Sequence, residues 1–491
     1  MGSDAAREPV LVGVGAVSQR EEDPERALEP AELMAEALRR AGDDAGSRDL
    51  LRRADAIYVP RGFWRYGDPG RLVATAVGAD AARSVLVEIG VLQTTLFGHA
   101  ARAIARGEAE VVLVTGGEAK HRMQQAQRAG REARETAQAG AKPDLVLRPA
   151  DDIIHPLEIE HGLVMAVRQY AVMESALRHA QKQPLAEHRR RVAVLWERFN
   201  RVARGNPDAW SPEPVTADEI ATPSPRNPMQ AFPYTRLHCS QWNVDQAAGL
   251  IFCSAARARA AGIPEHRWIH PRAVAESNHM LPLLERRELH RSPGFAKAGA
   301  RALEAAGLSL ADLTHVELYS CFPVAVRIQA LELGLREDRP LTVTGGMTFA
   351  GGPLNNFVLQ AAVRMAGLLR EQGGHGLLDA VSGLMTKQGV SLWSTSPAPG
   401  GFRYDDVSEQ VARAIPRAPV ATRAEGLARV AGYTVLFGRD GEPERAAAYC
   451  DMADGSRTIA VSRDAEWLRE LQATEGCGES VRVAGGDLYP G

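Results

Sequence analysis

The sequence is poor in the residues that would mark several classes of protein. Cysteine occurs five times in 491 residues, at positions 239, 253, 321, 450 and 477, with no C-x-x-C pair and no regular spacing. That excludes a disulfide framework and the usual zinc cluster, and predicts a reducing, cytoplasmic setting. The longest apolar runs, such as VVLV at 111–114, fall far short of the roughly 20 residues that span a bilayer. The opening MGSDAAREPV has no apolar core of the kind a secretion signal carries. A surplus of one charge sign is lacking too: a net charge of −3 provides no global field for nucleic acid or anionic membrane. Lysine is scarce, with five of 58 basic residues (120, 142, 182, 297 and 387). Beside so much Ala, Gly and Pro, this reads as the coding bias of a GC-rich genome.

What remains is the composition of a soluble globular protein, 45% apolar and 24% charged. The length exceeds what one core can use, so roughly two or three domains are expected. PVLVGVGAV (9–17) is a short apolar run of the kind that forms a strand buried on both faces. PAELMAEALRRAG (30–42) has apolar residues at helical spacing and a glycine stop. ADAIYVP (54–60) and SVLVEIG (84–90) read as strands, TLFGHAARAIARG (95–107) as a helix, and AEVVLVTGGEA (109–119) as a strand running into a loop. This alternation predicts an α/β layer structure. The order returns at 295–321 and 357–383, which predicts two similar halves packed on a pseudo-twofold axis.

Between the halves, 120–230 reads as a mostly helical insertion. It begins with the all-polar HRMQQAQRAGREARETAQAGA and contains amphipathic stretches at 160–181 and 189–203. YTRLHCSQWNVDQAAGLIFCS (234–254) returns to an apolar strand that closes the first half. After about residue 398, PAPGGFRYDD is linker-like, and short strands follow around Asp440-Gly441 and Asp454-Gly455. A small barrel of the oligonucleotide-binding type fits this pattern. Residues 401–491 hold 11 Arg against 15 Asp plus Glu, so a packing or lid role fits better than strand binding.

PVLVGVGAV, IARGEAEVVLVTGGEA, SQWNVDQAAGL, VELYSCFP and GGMTFAGGPLNN, in this order across the repeat, resemble the thiolase superfamily. The likeness is to its sterol-carrier-type members and the type 1 thiolase-like proteins of actinobacteria. It covers about 8–398, and the final β module resembles the extra C-terminal domain of the type 1 proteins. The resemblance implies a duplicated thiolase fold of α/β/α/β/α layers. It implies an N-terminal half at 1–119 and 231–258, a helical loop domain at 120–230, a C-terminal half at 259–398 and an additional OB-like β domain at 399–491.

The family's thioester chemistry uses four loops. A cysteine at the N-terminus of the central helix attacks the thioester, its thiolate favoured by the helix dipole. A Gly-His-Pro turn supplies its base, a second cysteine near a late Cys-x-Gly moves the α-proton, and an Asn- or His-led loop supports an oxyanion hole. All four depart here. Counting back from Gly107 puts Gly90 at the nucleophile position, and because the first cysteine is Cys239, no shift of register supplies a thiol. The histidine turn reads Gly351-Gly352-Pro353, and the one histidine after His315 is His375, in a Gly-Gly-His-Gly turn. No cysteine lies between 322 and 449; AVSGLMTKQG (380–389), with Ser382, fills that loop. The Asn- or His-led loop reads Tyr319-Ser320-Cys321-Phe322. Loss of nucleophile or base alone can cost about a million-fold in rate.

The resemblance therefore implies an acetyl-CoA acetyltransferase-like relative that handles CoA or an acyl-CoA, in lipid metabolism, without working thiolysis. Tyr319, Cys321 and Lys387 are the remaining candidates for chemistry. Tyr319 either polarises a thioester carbonyl or fills space. Cys321 is either a relocated nucleophile or a packing thiol, and Lys387 is a desolvated base or Schiff-base former if it does chemistry. Gly90, Gly352, Pro353 and Ser382 mark the pocket positions of the lost groups. Asn243, Asp245 and His279 are expected to shape the pocket, and His99 to be a satisfied histidine of the central helix. No metal and no covalently bound cofactor are expected; the ligand is a CoA thioester. Self-association or a small protein partner stays open, without membrane or nucleic acid. So do two other functions: a non-thiolytic carbon–carbon lyase (a retro-aldolase) acting on an acyl-CoA with a partner, and a non-catalytic binding or scaffold protein.

Overall fold

A computed structural model describes residues 3–490. The apolar runs form the middles of two mixed sheets. In the first half these strands are β1 (Pro9–Ser18), β2 (Ala56–Pro60), β3 (Arg83–Val87), β4 (Val111–Ala119) and β5 (Leu145–Leu147). A small hairpin of β6 (Met229–Ala231) and β7 (Tyr234–Thr235) follows, and then β8 (Asp245–Ser254). The first sheet is ordered β1-β8-β4-β2-β3-β5. The second contains β9 (His270–Ser277), β10 (Leu313–Glu317), β11 (His375–Ser382), β12 (Lys387–Ser394) and β13 (Arg403–Asp406), ordered β10-β11-β12-β9-β13.

The duplication is explicit in the pairing. β1-β8-β4-β2 and β9-β12-β11-β10 share one order, with two antiparallel pairs followed by a parallel one. Helices Thr94–Ala105 and Phe357–Gln372 are the matching central helices. The first presents Leu96, Phe97, Ala100 and Ile104 to the core. Close backbone approach explains two glycines in the strands. A Cβ on Gly13 or Gly15 would lie 2.2 or 2.3 Å from backbone oxygens of the helix Pro30–Asp44.

Two features depart from the sequence expectation. The insertion is helical only in parts, at Lys120–Arg128, Pro156–Glu160, Ala166–Ala180, Leu185–Ala203 and Ala217–Ala221. GREARETAQAGAKP (130–143) has no apolar face to dock and is punctuated by Gly130 and Gly140 in left-handed turns, so it runs without helix. It leads into β5, which pairs parallel with β3 through Val85–Leu145, Leu86–Val146 and Val87–Leu147. The first sheet therefore closes its own edge. Second, SVLVEIG is strand only to Val87; Gly90 takes φ +100° in the turn that follows.

The C-terminal module is a closed five-stranded barrel of β14 (Gly426–Phe437), β15 (Pro443–Met452), β16 (Arg457–Ser462), β17 (Ser480–Ala484) and β18 (Asp487–Pro490), in the order β14-β15-β16-β18-β17. Gly441 and Gly455 sit at φ +86° and +83° in its first two hairpins, where a side chain would be strained. The barrel docks on the insertion. Tyr433 N–H donates to Ser175 Oγ (2.9 Å), Arg178 to the Tyr433 hydroxyl (3.1 Å), and the Tyr449 hydroxyl to buried Glu158 (3.0 Å). Among the described residues no helix is long and apolar enough to cross a membrane.

Candidate functional site

The residues singled out from sequence fall into two neighbouring groups rather than one. The first surrounds the turn Gly351-Gly352-Pro353. Gly351 is left-handed at φ +103°, and the Gly352 N–H donates to the Gln241 carbonyl (2.8 Å). The segment 239–241 lies against this turn and against the Tyr319–Cys321 loop, with Ser240 N–H on the Cys321 carbonyl (3.1 Å) and Gln241 N–H on that of Met347 (3.0 Å). A Cβ built on Gly352 would meet Ser240 Oγ at 2.0 Å. Real Cβ atoms do not approach so closely, so Ser240 Oγ occupies the space beside Gly352 and must rotate before any side chain stands there.

Cys321 is 9% exposed, and burial pushes its thiol up to about 12. It stays protonated at neutral pH and lacks the nucleophilicity of a thiolate. Burial also raises the Tyr319 phenol above its ordinary range, and the ring meets Phe357 edge to face at 6.0 Å. Its backbone is pinned: Tyr319 N–H donates to Asp379 Oδ1 (2.7 Å), and Gln329 Nε2 donates to the Tyr319 carbonyl (2.8 Å). Asp379 is buried, held well above the usual carboxylate range by desolvation, and its Oδ2 has no partner among the described residues.

The second group surrounds Gly90. Lys387, at the start of β12 opposite Ser382, is 2% exposed and donates to the Gly90 carbonyl at 2.5 Å. A Cβ on Gly90 would lie 2.9 Å from Pro149, so the insertion closes over the position. The first turn of the central helix does meet a carboxyl, though not one the sequence picked out. Glu276, on β9 and 1% exposed, accepts from Thr94 Oγ1 (2.5 Å), Thr95 Oγ1 (3.0 Å) and the Tyr404 hydroxyl (2.8 Å). Burial raises its carboxyl, and the Thr94, Tyr404 and Thr95 hydroxyls partly offset that. A lone glutamate in a strand carries no sequence signal for this; only the placement of β9, buried along its whole length and paired with β12, brings it beneath the helix.

The other positions have local duties. Asp245 is fully buried and accepts the Arg122 backbone N–H at 3.0 and 3.1 Å, near the start of the helix Lys120–Arg128. Asn243 is half-buried beside it, and its Oδ1 has no partner among the described residues. His279 lines a separate cavity of about 50 Å³ with Arg286, Gln388 and Met385, and burial holds it below the usual histidine range. Ser382 leads into Gly383, Leu384 and Met385, all left-handed (φ +58°, +56°, +68°). Arg286 holds this strained turn through the Gly383 and Leu384 carbonyls. His99 packs edge-on against Tyr58 and Tyr404, and burial lowers it to about 4.

Comparison with known proteins agrees with this architecture. Residues 406–487 match the thiolase-like protein type 1 additional C-terminal domain. The crystal structure of a monomeric SCP2-thiolase-like protein type 1 from Mycobacterium smegmatis is similar over 99% of this chain and 100% of its own, at 28% identity and a TM-score of 0.83. An acetyl-CoA acetyltransferase from Methanothermobacter thermautotrophicus is 27% identical over 190 residues, 35% of this chain and 47% of the relative, so the match spans about half of that protein's length. An Ltp2–ChsH2(DUF35) aldolase structure (20% identity, 80% of this chain and 99% of that one, TM-score 0.57) shares the fold. So does human mitochondrial 3-ketoacyl-CoA thiolase in complex with CoA (17%, 80% and 99%, 0.56).

Proposed function

Because the chain belongs to the type 1 thiolase-like proteins with an additional C-terminal domain, we propose that it binds CoA or an acyl-CoA and does not carry out thiolysis. One observation carries the second half of this reading: Ser240 Oγ lies 2.0 Å from where a Gly352 Cβ would stand. The catalytic base is absent, and Ser240 Oγ stands where its side chain would begin, so a side chain at 352 needs the serine to turn away first. The remaining groups match that reading. Gly90 offers a carbonyl to Lys387 in place of a thiol, and Cys321 is a buried neutral thiol. The acyl-CoA half is supported by the thiolase fold and by the relatives that share it. The same turn, Gly351-Gly352-Pro353, has no ionisable group, which weighs against a retro-aldolase that would place a base on it.

The reading is tested on the purified full chain. Thermal shift with CoA and a panel of acyl-CoAs is expected to raise the melting temperature, by about 2.7 kcal/mol of stabilisation at a hundredfold excess over Kd. Thiolysis of acetoacetyl-CoA by free CoA is expected to stay at background. No shift at millimolar CoA removes the ligand, and turnover at rates ordinary for a thiolase overturns the rest.

A further inference from the structure

We propose that the cleft beside Gly90 is a site of its own, taking a small aldehyde or ketone that also carries an anionic group, which Lys387 captures as an imine. The cleft measures about 500 Å³ and lies between the central helix, the β5 segment and β13; Lys387, His99, Arg102, Arg148 and Tyr404 line it. Whereas Ser240 fills the space beside Gly352, this cleft is large enough to hold a small metabolite.

Its polar groups divide into a nucleophile and an anion clamp. Lys387 is the one buried lysine of the five. Its amine has a single hydrogen-bond partner among the described residues, the Gly90 carbonyl. Burial pulls the amine below the ordinary lysine range, with Glu276 and Asp151 pushing back, so more of it is neutral at pH 7 than of a solvated lysine. Arg102 and Arg148 form no hydrogen bond or ion pair among the described residues; the Arg102 guanidinium lies 4.9 Å over the Tyr404 ring. Two arginines without a carboxylate partner among the described residues, on one cleft with a buried amine, fit a phosphate or carboxylate whose carbonyl reaches Lys387. Asp405 and Asp406 also line the cleft, but Arg301 holds the first (2.9 Å) and the Ser408 N–H the second (2.7 Å). In the step itself, the neutral Lys387 nitrogen adds to the carbonyl carbon. The carbinolamine then loses its oxygen as water together with both amine hydrogens, leaving a C=N bond; no oxidant or reductant is needed.

This inference does not depend on the acyl-CoA reading, which the CoA titration tests separately. The probe is pyridoxal phosphate, an aldehyde with a phosphate, incubated with the full chain at pH 7, reduced with borohydride and mapped by peptide mass spectrometry. With five lysines in the chain, the map is simple to read. Lys387 is expected to label roughly tenfold faster than the exposed Lys142, Lys182 and Lys297, because the probe's phosphate, held on the cleft's arginines, presents its aldehyde to this amine, the scale of one charge-assisted hydrogen bond. Excess inorganic phosphate should protect it. Phosphate-free pyridoxal, and Arg148→Gln (an exposed position), should each slow labelling by roughly tenfold, the scale of one charge-assisted hydrogen bond. Labelling of Lys387 no faster than the exposed lysines overturns the imine. Labelling indifferent to phosphate, to Arg148→Gln and to the probe's own phosphate overturns the anion clamp.

Discussion

Gly352→Ala is the smallest step back toward a side chain in the histidine turn, and the surrounding atoms decide what it meets. Gly352 does not have a positive φ, so alanine is tolerated by the backbone and the cost is one of space alone. The new Cβ would lie 2.0 Å from Ser240 Oγ but 3.4 Å from Ser240 Cβ and from Met347 Cβ. The clash is thus with one oxygen. Overpacking costs about 1–3 kcal/mol, the rotatable hydroxyl of a half-buried serine keeps this case near the low end, and Ser240→Ala removes the offending atom while leaving a contact of ordinary length. Gly352→Ala alone should lose about 1 kcal/mol, Ser240→Ala less than that, and the double variant should match Ser240→Ala. A chain of this size has an unfolding entropy of about 1 kcal/mol/K, so the single variant melts roughly 1 °C lower. Differential scanning calorimetry on the four proteins reads the cycle. If Gly352→Ala melts with the parent, or if Ser240→Ala fails to rescue it, Ser240 does not fill the base position and the turn is open to a side chain after all.

Three further outcomes follow from buried groups. Cys321, pushed up to about 12 by burial, should resist iodoacetamide at pH 7 and yield no acyl adduct with acetyl-CoA; an adduct lost in Cys321→Ala would restore it as a nucleophile. Glu118 is raised from 4.5 to about 8 by burial, with the Phe63 N–H working against the rise. The folded state therefore holds its proton longer, and stability drains away as pH climbs from 4.5 through 8. Glu118→Gln should flatten that slope, which is on the order of 1 kcal/mol for each tenfold change in proton affinity, in melting temperatures taken across pH 5–9. Glu174 is fully buried, bound by Arg327 (2.9 Å), His188 (2.9 Å) and the Tyr234 hydroxyl (2.5 Å) and lowered to about 2 despite its desolvation. Its stabilisation is present above pH 4.5 and fades toward pH 2, and Arg327→Met, which strands the carboxylate, should cost about 3–5 kcal/mol in urea unfolding.

The frame was legible because burial on both faces writes strands as unbroken apolar runs, and because a duplicated unit writes its order twice. PVLVGVGAV and the strand in SQWNVDQAAGLIFCS pair as neighbours in the first sheet, and Asp440-Gly441 and Asp454-Gly455 turn the barrel's hairpins. That no thiol precedes Cys239 and that no imidazole stands in Gly351-Gly352-Pro353 was equally legible, since a residue type missing from a window needs no fold to place it. What replaced them was not. Ser240 against Gly352, Glu276 beneath Thr94 and Thr95, and Lys387 on the Gly90 carbonyl are contacts between segments remote in sequence, and each residue taken alone is ordinary. The polar stretch after Arg128 misleads for the opposite reason. Its composition permits a helix, but with no apolar stripe to bury it has nothing to fold against, and its end is recruited instead as β5.

That recruitment has a consequence for how copies of the molecule meet. A strand tethered in the same chain competes for the β3 edge at a local concentration no second molecule can match, so dilution and crowding leave its occupancy untouched. The rim it presents in turn is three residues long and followed by Pro149 within two positions, too short and too interrupted to template another ladder. At this border, concentration alone does not extend the sheet, and whatever assembles there must grip side chains rather than backbone.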